Sequence, residues 1–300
     1  MHRPARPWIV ASSLVLLLAA VVVVPAAIEP KNDFHFSILG DRTGSAQPEI
    51  YGRVWREVDL LHPDFVINVG DSIEGGNDAT AEQEWRALHA LLQKYAQYPL
   101  YFTPGNHDVF SEASRKIYER ETGHPTSYGF NYQDAHFTIL DTSRDEELTD
   151  AQLKFLQSDL EANKTKSPKL IFFHKPFWLL FARVRNRDFP LHQLAKKYGV
   201  TYVISGHGHQ FVRLVNDGVV YMEVGSSGAS ITRGTKRGQG FKEGWFYHHV
   251  WGSVKGSKID FTVKEIDGKG QGRMFKAGDW TETGPTFDVE DPASSEKPGT

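Results

Sequence analysis

The sequence predicts an α/β fold, because short strand-like runs alternate with amphipathic helical segments along most of its 300 residues. Beyond residue 210 further strand-like runs follow one another without helices, which indicates a second sheet or an antiparallel extension. The chain is 40% hydrophobic and 24% charged, the usual mix of a globular protein, which excludes a wholly disordered or collagen-like chain.

The predicted strands are short apolar runs, most of which end at glycine or a polar residue. In order they are 34–39, 65–69, 100–103, 128–132, 136–140, 170–173, 202–204, 211–215, 219–224, 245–250 and 259–263. The predicted helices repeat apolar residues every three or four positions. They are 48–62, which Pro48 suits as a first residue, 82–95, 150–162 and 191–198.

Three segments are predicted along the chain. Residues 33–266 form the main domain, and residues 267–300, rich in Gly, Pro, Ser and charge, form a loosely structured C-terminal tail. Residues 1–28 are a signal peptide or an N-terminal membrane anchor. Arg3 and Arg6 precede a charge-free run that ends with small residues at 25–27. At about 22 residues this run is long enough to cross a ~30 Å bilayer.

The leader and the composition limit where and how the protein acts. We expect an exported protein, periplasmic, extracellular or membrane-anchored, that meets a membrane only through residues 1–28 if they are retained. The net charge of −3 argues against bulk nucleic-acid binding. The absence of cysteine excludes disulfides, thiolate metal sites and cysteine nucleophiles.

Side chains that can bind a metal follow five of the predicted strands. They are Asp41, Asp71, Asn106, His174, His207 and His209. Each alone has an ordinary explanation as a turn residue, a helix cap or a buried histidine. The ordered set favours one site built on loops at the end of a sheet. Oxygen and imidazole donors without thiolate suit Mn, Fe, Zn or Ni.

The order of these blocks resembles a known family. The blocks are Asp41-Arg42-Thr43, Gly70-Asp71-Ser72-Ile73-Glu74, Gly105-Asn106-His107-Asp108, His174 and Gly206-His207-Gly208-His209. Over roughly residues 34–209 the chain is similar to the calcineurin-like metallophosphoesterases. The resemblance implies a two-sheet β-sandwich flanked by helices, with the metal site at the C-terminal ends of the strands, and a phosphoester substrate.

The resemblance also implies two divalent or trivalent metal ions. Asp71 matches the carboxylate that bridges them, Asp41 and His209 match ligands of the first ion, and the second ion is matched by Asn106, His174 and His207. Thr43 departs from the family pattern, which usually has His at this position. The first ion is then loosely held, completed by water, or a harder ion.

The family's chemistry implies that a metal-bridging hydroxide attacks phosphorus while His107 acts as the general acid and Asp108 orients it. Arg42 either binds a phosphate oxygen or pairs with a nearby acid. The expected function is an exported metal-dependent phosphoesterase, either a phosphatase or a phosphodiesterase. The alternative is a degenerate member with a single metal that binds phosphorylated ligands without turnover.

Some features leave alternatives open. Residues 225–228 are either a phosphate-binding turn or a plain one. The aromatic residues Phe177, Trp178 and Phe181 are either a substrate wall or, as we favour, part of the core. His248 and His249 either replace the missing ligand or, as we favour, face solvent from a strand.

Overall fold

The structure is a computed structural model that describes residues 31–184, 186–231, 241–266 and 272–279. The predicted signal or anchor segment, 1–28, lies outside these residues, as do 267–271 and 280–300 of the predicted tail. None of the helices in the described part of the chain is long and apolar enough to span a membrane.

The described residues form twelve strands and six α-helices. The strands are β1 Asp33–Leu39, β2 Phe65–Asn68, β3 Leu100–Phe102, β4 Tyr128–Tyr132, β5 Ala135–Ile139, β6 Lys169–Phe172, β7 Tyr202–Ser205, β8 Phe211–Asn216, β9 Val219–Val224, β10 His248–Lys255, β11 Lys258–Glu265 and β12 Met274–Lys276. The helices are α1 Pro48–Leu61, α2 Asp78–Leu92, α3 Glu112–Thr122, α4 Asp150–Ala162, α5 Trp178–Arg183 and α6 Pro190–Tyr198.

Two six-stranded mixed sheets face each other. The first has the order β12-β11-β10-β1-β2-β3, with β1, β2 and β3 parallel. The second has the order β4-β5-β6-β7-β9-β8, with β5, β6, β7 and β9 parallel. This confirms the predicted α/β fold with two sheets and flanking helices.

The C-terminal strands form both of the expected arrangements, an antiparallel extension and part of the second sheet. β8 and β9 complete that sheet, but β10 returns to the first sheet and pairs antiparallel with β1, with Leu39 opposite His249. β11 and β12 extend it further, so a strand also forms within the predicted tail. Strand periodicity shows which face of a strand is apolar, and several partners can cover the same face.

Three apolar clusters hold the layers together. Phe34, Phe36 and Phe65 pack between the sheets. Trp55 and Trp85 lie between the first sheet and its helices, and Trp178 lies in the cluster that covers the second sheet. Phe177 belongs to this last cluster and Phe181 packs against it, which confirms the core interpretation of these aromatic residues.

Two helices were not predicted from the sequence. α3 has few apolar residues, but Ser111 and Ser114 form a capping box at its start. α5 has only six residues. The parallel strands β1, β2, β3, β6 and β7 end at one rim of the two sheets, so the loops that follow them meet there.

Candidate metal centre

The six side chains predicted as metal ligands lie together at this rim. His174 Nε2 is 3.1 Å from Asn106 Oδ1, 3.2 Å from Asp71 Oδ2 and 3.3 Å from His207 Nδ1. His209 Nε2 is 3.5 Å from Asp41 Oδ2. These groups come from loops far apart in the chain, and the fold brings them within contact distance.

The donor atoms form two groups with one shared member. Asp71, His174 and His207 form the first, and Asp41, Asp71 and His209 form the second. Within each group the donor atoms lie within 4.8 Å of one another. Asn106 adjoins the first group through His174. A carboxylate common to two groups is the arrangement that a bridging ligand requires.

Backbone carbonyls orient two of the imidazoles. Nδ1 of His174 lies 2.9 Å from the carbonyl of Val69, and Nδ1 of His209 lies 2.7 Å from the carbonyl of Ser230. Because a carbonyl only accepts, each Nδ1 is the donor and Nε2 faces the site. In its neutral form, His174 therefore presents the lone pair of Nε2 to the oxygens of Asn106 and Asp71, which are acceptors as well. A cation between these atoms would stabilise all three. The donor set fits the metal ions of the family.

The buried charges depend strongly on one another. Burial alone would lower the pKa of His174, but Asp71 and Asp41 raise it to about 10. Burial raises the pKa of Asp71, but His174 and His107 outweigh it and lower that pKa to about 2. Burial, together with Asp71 and Glu223, raises the pKa of Asp41 well above its usual value. These opposing shifts show that the two carboxylates and His174 interact directly inside the buried site.

Three of these residues have a left-handed backbone. The φ angles of Asp71, His207 and His209 are 53°, 77° and 58°. Such angles are costly for residues with a side chain and persist where their surroundings hold them. Gly70, with φ of 111°, allows close approach, because a methyl group there would overlap the ring of His174.

Thr43 supports the loop that carries Asp71. Its buried hydroxyl lies 2.7 Å from the carbonyl of Asp71 and also within hydrogen-bond distance of the carbonyl of Ile73. The backbone amides of Arg42 and Thr43 donate to the same Asp71 carbonyl, at 3.2 and 3.1 Å. Thr43 thus braces the shared carboxylate from the position where the family usually has a histidine.

His107 faces the site from the side of Asp71. Its ring Nδ1 is hydrogen-bonded to the carbonyl of Glu74, and its Nε2 is 3.9 Å from Asp71 Oδ2. Its backbone amide donates to Asp71 Oδ1 at 2.9 Å. The side chain is 21% exposed, so the ring is reachable from outside.

The expectation that Asp108 orients His107 is wrong in this structure. The Asp108 carboxylate is buried and accepts the backbone amides of Ser72 at 2.8 Å, Ile73 at 3.1 Å and Gly105 at 3.0 Å. It therefore joins the loop after β2 to the loop after β3. Burial, reinforced by Asp71, raises its pKa to about 7. The Glu74 carbonyl takes the orienting role instead.

The pairing of Arg42 with a nearby acid is not seen among the described residues. Its Nη1 donates to the backbone carbonyl of Ser72 at 2.7 Å, and the guanidinium lies 5.6 Å from the ring centre of Tyr51. These contacts hold the side chain beside the loop of Asp71, half-buried.

Two of the four backbone amides at 225–228, those of Gly225 and Ser227, are already bonded within the protein, which favours a plain turn over a phosphate-binding one. The amide of Gly225 donates to Gln210 at 2.9 Å, and the amides of Ser227 and Ala229 donate to the carbonyl of Asp41 at 3.1 and 2.9 Å. The segment braces Asp41, and its Ser230 carbonyl braces His209.

His248 and His249 are fully buried, so the expectation that they face solvent is wrong. Nδ1 of His248 is 2.8 Å from the carbonyl of Phe246, and Nε2 of His249 is 3.5 Å from Glu57. Neither belongs to the two donor groups found among the described residues. They lie in the packing between β10 and its neighbours.

Two carboxylates near the site were missed. Glu74 accepts the backbone amides of Gly44 at 3.3 Å, Ser45 at 3.4 Å and Ala46 at 2.8 Å. Its position in the Gly70–Glu74 block could have identified it as a site residue from the sequence. Glu223 is fully buried beneath the turn of His207 and His209. It lies in an apolar strand, and nothing in the local sequence marks it.

The comparison with known families agrees with this geometry. The family model described as calcineurin-like phosphoesterase matches residues 32–211, more than half of the chain. The protein belongs to the calcineurin-like phosphoesterase family. No curated protein matches the sequence.

Several solved structures share this fold. Purple acid phosphatase PPD1 from yellow lupin seeds aligns with TM-score 0.62 and 16% identity over 87% of this chain and 58% of its own. A dimetal phosphatase from Danio rerio aligns with TM-score 0.53 and 13% identity over 83% and 99%. GAP50, the anchor in the inner membrane complex of Plasmodium, aligns with TM-score 0.59 and 15% identity over 82% and 89%.

Proposed function

We propose that this phosphoesterase-family protein is an exported, metal-dependent phosphoester hydrolase. The observation that carries the proposal is the pair of buried donor groups that share Asp71 at the end of the parallel strands. Its family and its phosphatase neighbours support a phosphoesterase in general. The composition of residues 1–28 supports export.

The residues divide between two divalent or trivalent ions. Asp41 and His209 would hold the first ion, His174, His207 and Asn106 would hold the second, and Asp71 would be shared by both. The oxygen and nitrogen donors suit Mn, Fe, Zn or Ni. When bound, such a pair acidifies water and offsets negative charge on a phosphoryl group.

His107 is the proposed general acid. The Glu74 carbonyl fixes its Nδ1–H, so Nε2 is the atom that holds the proton for the leaving oxygen. Its ring is partly exposed, whereas the proposed ligand His174 is fully buried. This difference fits a group that meets substrate from the open side of the site.

Arg42 is the proposed phosphate-binding residue. One of its nitrogens donates to the Ser72 carbonyl, and the guanidinium carries five N–H donors in all. The anchored side chain keeps further donors for the oxygens of a phosphate. Its contact with Tyr51 limits its rotation and holds those donors beside the loop of Asp71.

The second candidate function is a single-metal protein that binds phosphorylated ligands without turnover. Thr43 favours it, because its hydroxyl bonds to the carbonyls of Asp71 and Ile73. The group of Asp41, Asp71 and His209 therefore has three side-chain donors. The metal content of the purified protein separates the two candidates.

The decisive experiment measures metal content and turnover together. Purified protein is loaded with Mn, Fe, Zn or Ni, and its bound metal is counted by mass spectrometry. Hydrolysis of an aryl phosphate and a bis-aryl phosphate is then measured. Two ions with turnover support the hydrolase and show whether it prefers monoesters or diesters. One ion without turnover for any metal supports the binding protein.

Two variants test the assigned roles. Asp71→Asn removes the shared negative charge, so we expect loss of both metal and activity. His107→Ala keeps every proposed ligand, so both ions remain while turnover falls ~10²–10⁴-fold. His89→Ala, on the exposed face of α2, is the matched control and retains both. Loss of metal in His107→Ala would contradict the division between ligand and acid.

Export is tested by cell fractionation. The full chain is expected outside the cytoplasm or in the membrane fraction, whereas a chain that starts at residue 29 remains in the cytoplasm. The N-terminal sequence of the recovered protein then distinguishes a cleaved signal from a retained anchor. A full chain found wholly in the cytoplasm would contradict export.

A further inference from the structure

Glu223 is a buried carboxylate without a role in the chemistry described above. It lies on β9, opposite Ser205 of β7 and Val212 of β8, and is fully buried. Its Oε2 is 3.4 Å from the side-chain amide of Gln210. Among the described residues, its Oε1 has no hydrogen-bond partner.

The carboxylate lies directly against the turn between His207 and His209. A methyl group on Gly208 would overlap Oε1 of Glu223 and lie 2.9 Å from its Cδ. Burial raises the pKa of Glu223 to about 8, but the backbone amides of Gly208 and Gln210 oppose this rise. The contact with Gly208 itself places Oε1 of Glu223 against the turn.

The turn above Glu223 needs support. His207 and His209 both have φ in the left-handed region, at 77° and 58°, and the amide of Gly208 donates to Gly206 within the turn. A buried carboxylate usually lowers stability relative to an apolar residue of similar volume. Its presence here calls for a role other than stability.

We propose that Glu223 is a positioning residue that braces the 206–209 turn from beneath, so that His207 and His209 point to two different ions. Gly208 is the small residue that this contact requires. The inference rests on the proposed function, because it concerns the same metal ligands. It adds a residue that none of the sequence blocks contains.

The test is metal affinity, measured by calorimetric titration of the metal-free protein with Mn²⁺ and with Zn²⁺. Glu223→Leu fills the same space without an acceptor. We expect its metal-free form to unfold at or above the wild-type temperature, while its Kd rises ~10–100-fold. Glu223→Gln keeps an acceptor of the same shape and is expected to recover most of the affinity.

Met222→Ala is the matched control, because Met222 is buried on the same strand but packs in the cluster between the sheets. It is expected to lower the unfolding temperature and leave the Kd unchanged. Gly208→Ala gives an independent measurement should Glu223→Leu fail to fold. Its added methyl group displaces the turn, so its Kd is expected to rise as well.

The outcomes separate this inference from the proposed function. Wild-type protein that binds no ion would overturn the proposed function. Wild-type protein that binds two ions, with Glu223→Leu or Gly208→Ala of unchanged affinity, would overturn the bracing role alone. Equal losses in Glu223→Gln and Glu223→Leu would also overturn it, because the charge of the carboxylate would then be the cause.

Discussion

Thr43→Val tests how the loop of Asp71 is held. Valine has the shape of threonine but no hydroxyl, so the carbonyls of Asp71 and Ile73 lose a shared donor. The Asp71 carbonyl keeps two backbone donors, whereas the Ile73 carbonyl loses the donor that Thr43 supplies. One lost buried hydrogen bond costs about 1–3 kcal/mol when its acceptor stays unpaired.

The effect is expected in both stability and metal binding. A loss of 1 kcal/mol lowers the melting temperature of a domain of this size by roughly 2–4 °C, measured without metal. If the metal-binding conformation of the Asp71 loop becomes about 1 kcal/mol less favourable, the Kd for metal rises ~5-fold. Because Asp71 is shared, calorimetric titration should show weaker binding of both ions.

The control is Thr43→Ser, which keeps the hydroxyl and is expected to bind both ions as the wild type does. Weaker binding of only the ion assigned to Asp41 and His209 would refute the reasoning, since Thr43 would then act as a ligand of that ion. Unchanged stability and affinity in Thr43→Val would refute the bracing role itself.

Three further predictions concern stability. Asp108→Ala leaves three buried amides without an acceptor and should lower the unfolding free energy by more than about 2 kcal/mol in guanidinium titrations. Normal stability with slow turnover would instead support a role of Asp108 in orienting His107. A chelator should lower the melting temperature, since ligand at 100 times its Kd stabilises by about 2.7 kcal/mol, and Asp71→Asn should show no such shift. His249 and Lys264 lower the pKa of Glu57 to about 2, although partial burial opposes this. The ionised carboxylate of Glu57 therefore stabilises the fold above its ordinary pKa of 4.5, and this stabilisation is lost as the pH falls toward 2. Glu57→Gln should therefore be less stable than the wild type at pH 7 and approach it in acid, whereas a difference independent of pH would contradict this.

The positions of the candidate ligands were readable from the sequence because each follows a short apolar run. A strand of a parallel sheet ends near its neighbours' ends, so Asp41, Asp71 and His174 were expected at a common rim. The structure brings them there. The helices α1 and α4 were equally readable, since their apolar residues recur at helical spacing.

The supporting contacts were not readable, because they join residues far apart in the chain. Asp108 accepts the amide of Ser72 from 36 positions away, and His209 is oriented by the carbonyl of Ser230. The motif around His107 suggested that its neighbour Asp108 orients it, yet the ring is bonded to the Glu74 carbonyl. Adjacency in sequence does not decide which way a side chain turns.

Local pattern alone therefore specified most of the elements, the donor types and their order along the chain, because these depend on periodicity and on residue chemistry. Tertiary packing decided which sheet β10 joins, why Thr43 faces the Asp71 loop and why Glu223 lies under Gly208. Those choices depend on burial and on hydrogen bonds between distant segments, which form only when the whole chain has folded.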